Sequence, residues 1–137
     1  MKLNPYLNYG GNCKEAFEFY AQNLGGKINA MIPFGEQPGT SNAPPDWKNK
    51  IMHANMSIGQ TEIMASDAPP DRFQPMRSVY LSLQVDNTPE AERLYKVLSE
   101  GGDIFMPMEE TFFAHRFAML RDKFGASWMI LHQKPMH

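Results

Sequence analysis

The sequence predicts an α+β fold in which one domain, residues 1–137, contains two βαβββ modules, about 1–76 and 77–137. The first observation is that a strand, a helix and three more strands follow one another twice. The second is that both predicted helices begin with Asn-x-x-Glu-Ala-x-x-x-Tyr, at Asn12–Tyr20 and Asn87–Tyr95, and end at a double glycine. A motif that returns in the same order indicates one supersecondary unit used twice.

In the first module, strands are predicted over 3–9, 27–34, 50–58 and 61–66, with a helix from Asn12 to about Leu24. Asn12 is a favoured N-cap residue, and Glu15 three positions later completes a capping box. Gly59-Gln60 forms a two-residue turn between the last two strands. The loops over 35–49 and 67–76 hold six of the eleven prolines, which predicts stiff coverings over the domain.

The second module repeats this order with a strand over 79–85, a helix over 87–100 and a short strand over 103–106. It ends in a hairpin whose strands, 112–120 and 126–131, flank the polar turn 121–125. Gly125 lies in this turn and can adopt a positive φ angle.

The same hairpin carries a family resemblance. Glu-Thr-Phe-Phe-Ala-His at 110–115 followed by Asp-x-Phe-Gly-x-x-Trp-Met-Ile at 122–130 resembles the last hairpin of the PhnB-like branch of the glyoxalase, bleomycin-resistance and extradiol-dioxygenase superfamily. The resemblance implies a half-barrel sheet with helices on its outer face. It also implies a concave face that binds a small molecule.

Many members of that superfamily bind a metal ion through His, Glu or Gln on the first and last strands of each module. By the resemblance, these positions fall on Pro5, Met64, Tyr80 and Met129. Proline has no side-chain donor, a neutral phenol is a reluctant ligand, and thioethers favour soft ions such as copper(I). We therefore predict no metal and no cofactor, in contrast to the metal-dependent lyases and dioxygenases of the superfamily.

Strand alternation predicts what lies on the concave face instead. A two-residue turn at Gly59-Gln60 pairs Asn55 with Met64 and His53 with Ser66, so these four side chains share one face. Trp128 and Ile130 are predicted to point the other way, against the helices. The complete predicted ligand-binding set is His53, Asn55, Met64, Ser66, Tyr80, Ser82, His115 and Met129.

Each candidate also has a structural interpretation. His53 is either a ligand contact or a core histidine that bonds Asn55 or the backbone, and His115 either closes the pocket or lies at a dimer contact. Cys13 lies near a helix N-terminus, which can lower a thiol pKa, but no resolving cysteine accompanies it, so an inert residue is favoured.

Composition excludes several classes of protein. The formal net charge is −2 and no basic run is present, which argues against nucleic acid as a partner. No segment approaches the roughly 20 apolar residues of a membrane span. The first residues, Met1 to Pro5, lack the apolar stretch of a secretory signal, so a cytoplasmic protein is predicted.

The leading hypothesis is a small-molecule-binding protein of the PhnB-like family without an assigned reaction and without the usual metal site. It is expected to form a homodimer, because an open half-barrel leaves sheet edges uncovered. The alternative is a glyoxalase-like isomerase or lyase that uses a displaced metal, or His53 or His115 in acid–base catalysis. The sequence does not identify the ligand or its charge.

Overall fold

A computed structural model describes residues 1–36 and 45–135 of the chain. The chain divides into two compact units, unit 1 from Met1 to Pro75 and unit 2 from Met76 to His137. The middle of the predicted loop over 35–49, residues 37–44, lies outside the described residues. No helix among the described residues is long and apolar enough to cross a membrane.

Unit 1 is a four-stranded sheet with one helix. Its strands are ordered β1-β4-β3-β2, with β1 parallel to β4 and the other pairs antiparallel. Short 3-10 helices lie at Phe34–Glu36 and Pro45–Trp47. The elements in chain order are β1 Tyr6–Tyr9, α1 Cys13–Leu24, β2 Lys27–Pro33, β3 Ile51–Ile58 and β4 Thr61–Asp67.

Unit 2 repeats this topology with the strand order β5-β8-β7-β6, and β5 is parallel to β8. The βαβββ order predicted from the sequence repeat is therefore confirmed in both units. The elements are β5 Leu81–Gln84, α2 Thr88–Ser99, β6 Asp103–Glu109, β7 Ala114–Arg121 and β8 Ser127–Gln133.

Several strand boundaries differ from the prediction. Strands β1 and β5 are shorter, and β6 continues to Glu109 where an end at Met106 was predicted. Strand β7 begins at Ala114 because the two preceding phenylalanines lie in a turn. In that turn the Thr111 amide donates to the Ala114 carbonyl at 2.9 Å, and the Ala114 amide donates to the Thr111 hydroxyl at 3.0 Å.

Each helix packs on one face of its own sheet, here called the helix face, and the opposite face is called the open face. Helix α1 contacts β2, β3 and β4, and helix α2 contacts β6, β7 and β8. Fully or nearly fully buried apolar side chains fill both helix faces, and Trp128 and Ile130 are among them as predicted. The helix-face cores are Ala16, Phe17, Tyr20, Ala54, Met56, Ile63 and Ala65 in unit 1, and Ala91, Leu94, Leu98, Ala118, Leu120, Trp128 and Ile130 in unit 2.

The two helices begin differently. The Asn87 side chain accepts a hydrogen bond from the Glu90 amide at 2.8 Å, which confirms the predicted cap of α2. Asn12 occupies the N-cap position of α1 but makes no capping bond with its side chain, so the predicted capping box is wrong. Asp67, at the end of β4, takes over that role from another part of the chain.

The Asp67 carboxylate is buried and accepts three backbone hydrogen bonds. Oδ1 accepts from the amides of Gly11 and Cys13 at 3.0 Å each, and Oδ2 accepts from the Ile51 amide at 2.9 Å. One side chain therefore joins the end of β4, the start of α1 and the start of β3. A buried carboxylate is tolerated because its oxygens are bonded to donors.

Asp122 is the second buried carboxylate with three donors, and it organises the turn between β7 and β8. Its Oδ1 accepts from the amides of Phe124 and Ala126 at 2.9 and 3.0 Å, and its Oδ2 accepts from Trp128 Nε1 at 2.8 Å. Gly125 has a φ of +107°, as its place in the predicted turn requires.

We expect Asp67→Asn to lower the free energy of unfolding by about 2–4 kcal/mol, because an amide has one acceptor oxygen where the carboxylate has two and carries no charge. Urea unfolding followed by tryptophan fluorescence measures the change. The control is Asp71→Asn, an exposed aspartate in the connector after β4, which should leave the urea midpoint unchanged. Equal midpoints for the two variants would contradict a stabilising role for the Asp67 bonds.

Candidate functional site

The open face of unit 1 contains the four side chains that strand alternation predicted there. Ile58 pairs with Thr61 and Asn55 with Met64, which confirms the two-residue turn at Gly59-Gln60. His53 and Ser66 share the parity of Asn55 and Met64 on these strands. Strand β1 adds two further residues to this face, because Tyr6 lies beside Met64 and Asn8 beside Ser66.

Hydrogen bonds between amides and hydroxyls order this face. Asn29 Nδ2 donates to Asn55 Oδ1 and to Ser57 Oγ at 2.8 Å each, and Ser66 Oγ donates to Asn8 Oδ1 at 3.1 Å. Sequence reasoning missed Asn29. It lies at the register shift between Ile28 and Ala30, where simple alternation no longer predicts which face a side chain occupies.

His53 lies half-buried among these groups, and its ring centroid is 6.1 Å from that of Tyr6. Asn55 was one predicted partner for a core histidine at this position. In the structure, Asn55 accepts a hydrogen bond from Asn29. Within residues 1–36 and 45–135, the His53 imidazole makes no hydrogen bond. No described residue therefore bonds either ring nitrogen.

The open face of unit 2 is built mainly from β5, β7 and β8. Ser82 and Met119 both pair with Met129, and Arg121 pairs with Ser127. These side chains lie opposite Leu120 and Trp128, which pack under α2. Ser82 and Met129 thus lie together as predicted.

Aromatic side chains from the two outer strands meet at the same end of this sheet. Tyr80, just before β5, contacts Phe105 of β6 edge to face at a centroid distance of 6.3 Å. Strands β8 and β7 separate β5 from β6, so these side chains reach toward each other across the sheet. The guanidinium carbon of Arg121 lies 5.2 Å from the Phe105 ring centroid. Arg121 was missed from the sequence because it was assigned to the turn 121–125, whereas it is the last residue of β7.

His115 does not join Ser82 and Met129. A register shift between Ala114 and Arg116 displaces it, and its ring lies 4.7 Å from that of His132. His132 Nδ1 is in turn 3.1 Å from the hydroxyl of Thr88, the first residue of α2. The predicted His115 site residue is thus placed with groups on the helix side of the sheet.

The positions that correspond to metal ligands in the superfamily carry no suitable donor set. Met64 and Met129 lie on the open faces. Their neighbours on β1 and β5 are Tyr6 and Ser82, and not Pro5 and Tyr80, on which the resemblance placed the first-strand positions. The backbone follows different paths between β1 and α1 and between β5 and α2. Gly11 in the first connection has a φ of +121°, whereas Asp86, which precedes Asn87 as Gly11 precedes Asn12, has no positive φ. Thioether, phenol and hydroxyl groups do not fit a hard divalent ion.

Residues 1–36 and 45–135 contain no group of three or more His, Cys, Asp or Glu side chains that could hold a metal ion.

The single cysteine, Cys13, is unsuited to act as a nucleophile. Burial raises the pKa of the Cys13 thiol far above its ordinary value, and the neighbouring Asp67 and Glu15 carboxylates raise it further.

Comparison with known proteins gives a consistent family. The model of the family described as 3-demethylubiquinone-9 3-methyltransferase matches residues 1–131. Protein YjdN of Escherichia coli (strain K12) is 38% identical over 138 residues, which is 95% of this chain and 94% of YjdN.

Solved structures extend the comparison. Protein PA1353 from Pseudomonas aeruginosa is 44% identical with a TM-score of 0.87, and the match covers 98% of this chain and 99% of that one. The putative 3-demethylubiquinone-9 3-methyltransferase, PhnB protein, from Bacillus cereus has the same fold at 22% identity, with a TM-score of 0.82 over 96% of this chain and 99% of that one. A glyoxylase/bleomycin resistance protein/dioxygenase domain from Frankia sp. EAN1pec shares the fold at 13% identity, with a TM-score of 0.67 over 98% of each chain. The chain therefore belongs to the family whose model is described as 3-demethylubiquinone-9 3-methyltransferase, and it shares the fold of the PhnB protein and of the glyoxylase, bleomycin-resistance and dioxygenase domain.

Proposed function

We propose that this chain binds a small molecule on the open faces of its sheets, and that it does so without the metal ion used by many members of its superfamily. The observation that carries the proposal is the His53 imidazole, which lies among ordered amides and makes no hydrogen bond within the described residues. A polar group that the fold positions without bonding is available to a ligand.

The surroundings of His53 support binding of a polar molecule. Asn55 and Ser66 are held by neighbouring side chains, so their remaining donors and acceptors have fixed directions. Met64 adds a flexible apolar surface beside them on the open face of unit 1. Ordered polar groups beside adaptable thioethers suit a ligand with both polar and apolar parts.

An enzymatic role is the second candidate, and the same histidine favours it. A half-buried imidazole that bonds no described residue can accept a proton from a bound substrate or donate a proton to it. No feature of the described open faces favours the methyl transfer named in the description of the family model. Turnover of a bound compound would distinguish an enzyme from a binding protein.

We expect His53→Ala to weaken binding of a small polar ligand by about 1–2 kcal/mol, roughly a factor of 5 to 30, because a hydrogen bond to the imidazole is lost. Ligand-observed NMR with a library of small polar compounds would identify binders. Titration calorimetry would then measure their affinities for wild type and variant. Thermal unfolding should change little, since His53 bonds no described residue.

The matched control is His115→Ala, which removes an imidazole on the helix side of unit 2 and should leave these affinities unchanged. If His53→Ala lowers the melting temperature but not the affinity, His53 is a structural residue. If only His115→Ala weakens binding, the ligand lies at the other histidine.

Metal content is the next test. Because Tyr6, Met64, Ser82 and Met129 occupy the relevant positions on the open faces, untagged protein should contain far less than one equivalent of zinc, nickel, manganese or iron. Elemental analysis after dialysis against a chelator measures it. A stoichiometric ion that survives dialysis would overturn this part of the proposal and favour a metal-dependent enzyme.

We also propose that the protein is a cytoplasmic homodimer. Strand β6 is an edge strand whose apolar side chains Ile104, Phe105 and Met106 are 43–47% exposed. Exposed apolar edge strands are usually covered by another chain or element. A second copy of this chain would cover the edge in the way symmetric dimers commonly do.

Sedimentation equilibrium at micromolar concentration should give the mass of a dimer. Ile104→Lys should shift the equilibrium toward monomer, because a charge at the edge opposes pairing. Lys96→Ala, an exposed change on α2, serves as the control and should not alter the mass. A monomeric wild type would refute the dimer, whereas the ligand proposal would remain open.

A further inference from the structure

We propose that the open face of unit 2 recognises the oxyanion group of its ligand through Arg121, with Ser127, its partner across the β7–β8 pair, as a nearby hydroxyl and Ser82 farther along the same face. This inference rests on the proposed small-molecule function and specifies the charge of the ligand. Its observations come from unit 2: an adjoining aromatic pair, a guanidinium that has no counter-ion among the described residues, and a buried donor that has no described acceptor.

Arg121 lacks the partners that a half-buried arginine normally has. Its Nε is fully buried and donates to no acceptor in the structure. Asp103 lies directly across the strand pair, yet the two side chains form no ion pair among the described residues. Buried donors are nearly always bonded, because an unmade hydrogen bond leaves the cost of desolvation uncompensated. The arrangement therefore lacks an acceptor.

The Nη atoms of Arg121 also make no hydrogen bond to any described residue, and an anion is the partner that would complete them. A guanidinium is a cation with N–H donors only, so its best partner is an anion that accepts hydrogen bonds. The Arg121 guanidinium carbon lies over the Phe105 ring at 5.2 Å, a contact that uses the flat face of the group and not its N–H edges. Those edges form the planar fork that binds carboxylate or phosphate oxygens in pairs.

The surroundings define the rest of the ligand class. Ser127 lies across from Arg121, and Ser82 lies beside Met129 on the same open face. Neither serine side chain makes a hydrogen bond within the part of the chain that the structure describes. The Tyr80–Phe105 pair adjoins the guanidinium and offers an apolar surface. The ligand class is thus a small organic acid whose oxyanion, a carboxylate, phosphate or phosphonate, is attached to an apolar body.

The test uses the intact protein and compares a charged probe with a neutral one of the same shape. Benzoate and benzamide are titrated at constant ionic strength while ¹⁵N NMR follows the Arg121 Nε–Hε resonance and the Ser127 amide. Benzoate should shift both resonances to saturation, with an affinity at least about tenfold higher than that of benzamide, a difference of ~1.4 kcal/mol. Inorganic phosphate and methylphosphonate, titrated in parallel, distinguish the kinds of oxyanion.

Three variants complete the experiment. Arg121→Met should abolish the preference for benzoate over benzamide, and Arg121→Lys should retain part of it because the charge remains. Arg77→Met, an exposed arginine before β5, is the matched control and should bind benzoate as wild type does. In the absence of anion, Arg121→Met should melt at the same temperature as wild type or higher, because it removes an unpaired buried donor.

Two outcomes would overturn the inference. The first is equal affinity for benzoate and benzamide that Arg121→Met leaves unchanged, which would leave the proposed binding function intact without a preference for anions. The second is the absence of any saturable shift at Arg121 or Ser127 with all three oxyanions. If Arg121→Met does not fold, Arg121→Lys alone decides, since unchanged selectivity with unchanged shifts would show that the guanidinium does not bind the ligand.

Discussion

The buried carboxylate of Asp67 is the constraint on which unit 1 depends. It closes the start of α1 with two amide bonds and fixes the start of β3 with a third, so one side chain sets the helix against the sheet. Its negative charge lies at the positive end of the helix, where the macrodipole favours it. Because α1 is held on this face, the opposite face, with His53 and Asn55, remains uncovered by the unit's own helix. The same charge beside Cys13 contributes to keeping that thiol protonated and inert.

Unit 2 reaches the same topology with a different set of bonds. Asn87 caps α2 from within the local sequence, and Asp122 serves the β7–β8 turn by bonding two turn amides and Trp128. The similarity of Asn12 and Asn87 in sequence therefore hides a difference in structure. An alignment anchored on these two asparagines places the first strands one position out of register. For that reason Pro5 and Tyr80 matched in the repeat but do not occupy equivalent positions in the sheets.

Strand alternation predicted the structure well where the strands are regular and failed where they are not. The tight turn at Gly59-Gln60 fixes the β3–β4 register, so the shared face of His53, Asn55, Met64 and Ser66 could be derived from the sequence. Asn29, Phe105 and His115 lie at register shifts, where an extra residue changes which face the next side chain occupies. No local residue pattern announced these shifts. The hydrogen bonds of Asp67 join residues that are 16 to 56 positions apart in the sequence, so local patterns could not predict them either.

The contrast between satisfied and unsatisfied polar groups separates structural residues from functional candidates. This chain gives each of its two buried aspartates three donors, and it orders Asn8, Asn29 and Asn55 with side-chain bonds. Buried polar groups in native proteins are nearly always bonded, and exceptions often occur where a ligand completes the bonding. His53 on one open face and Arg121 on the other are exceptions of this kind. An imidazole can bond a neutral polar group, whereas a guanidinium pairs best with an anion, so the two proposals assign a different chemistry to each face.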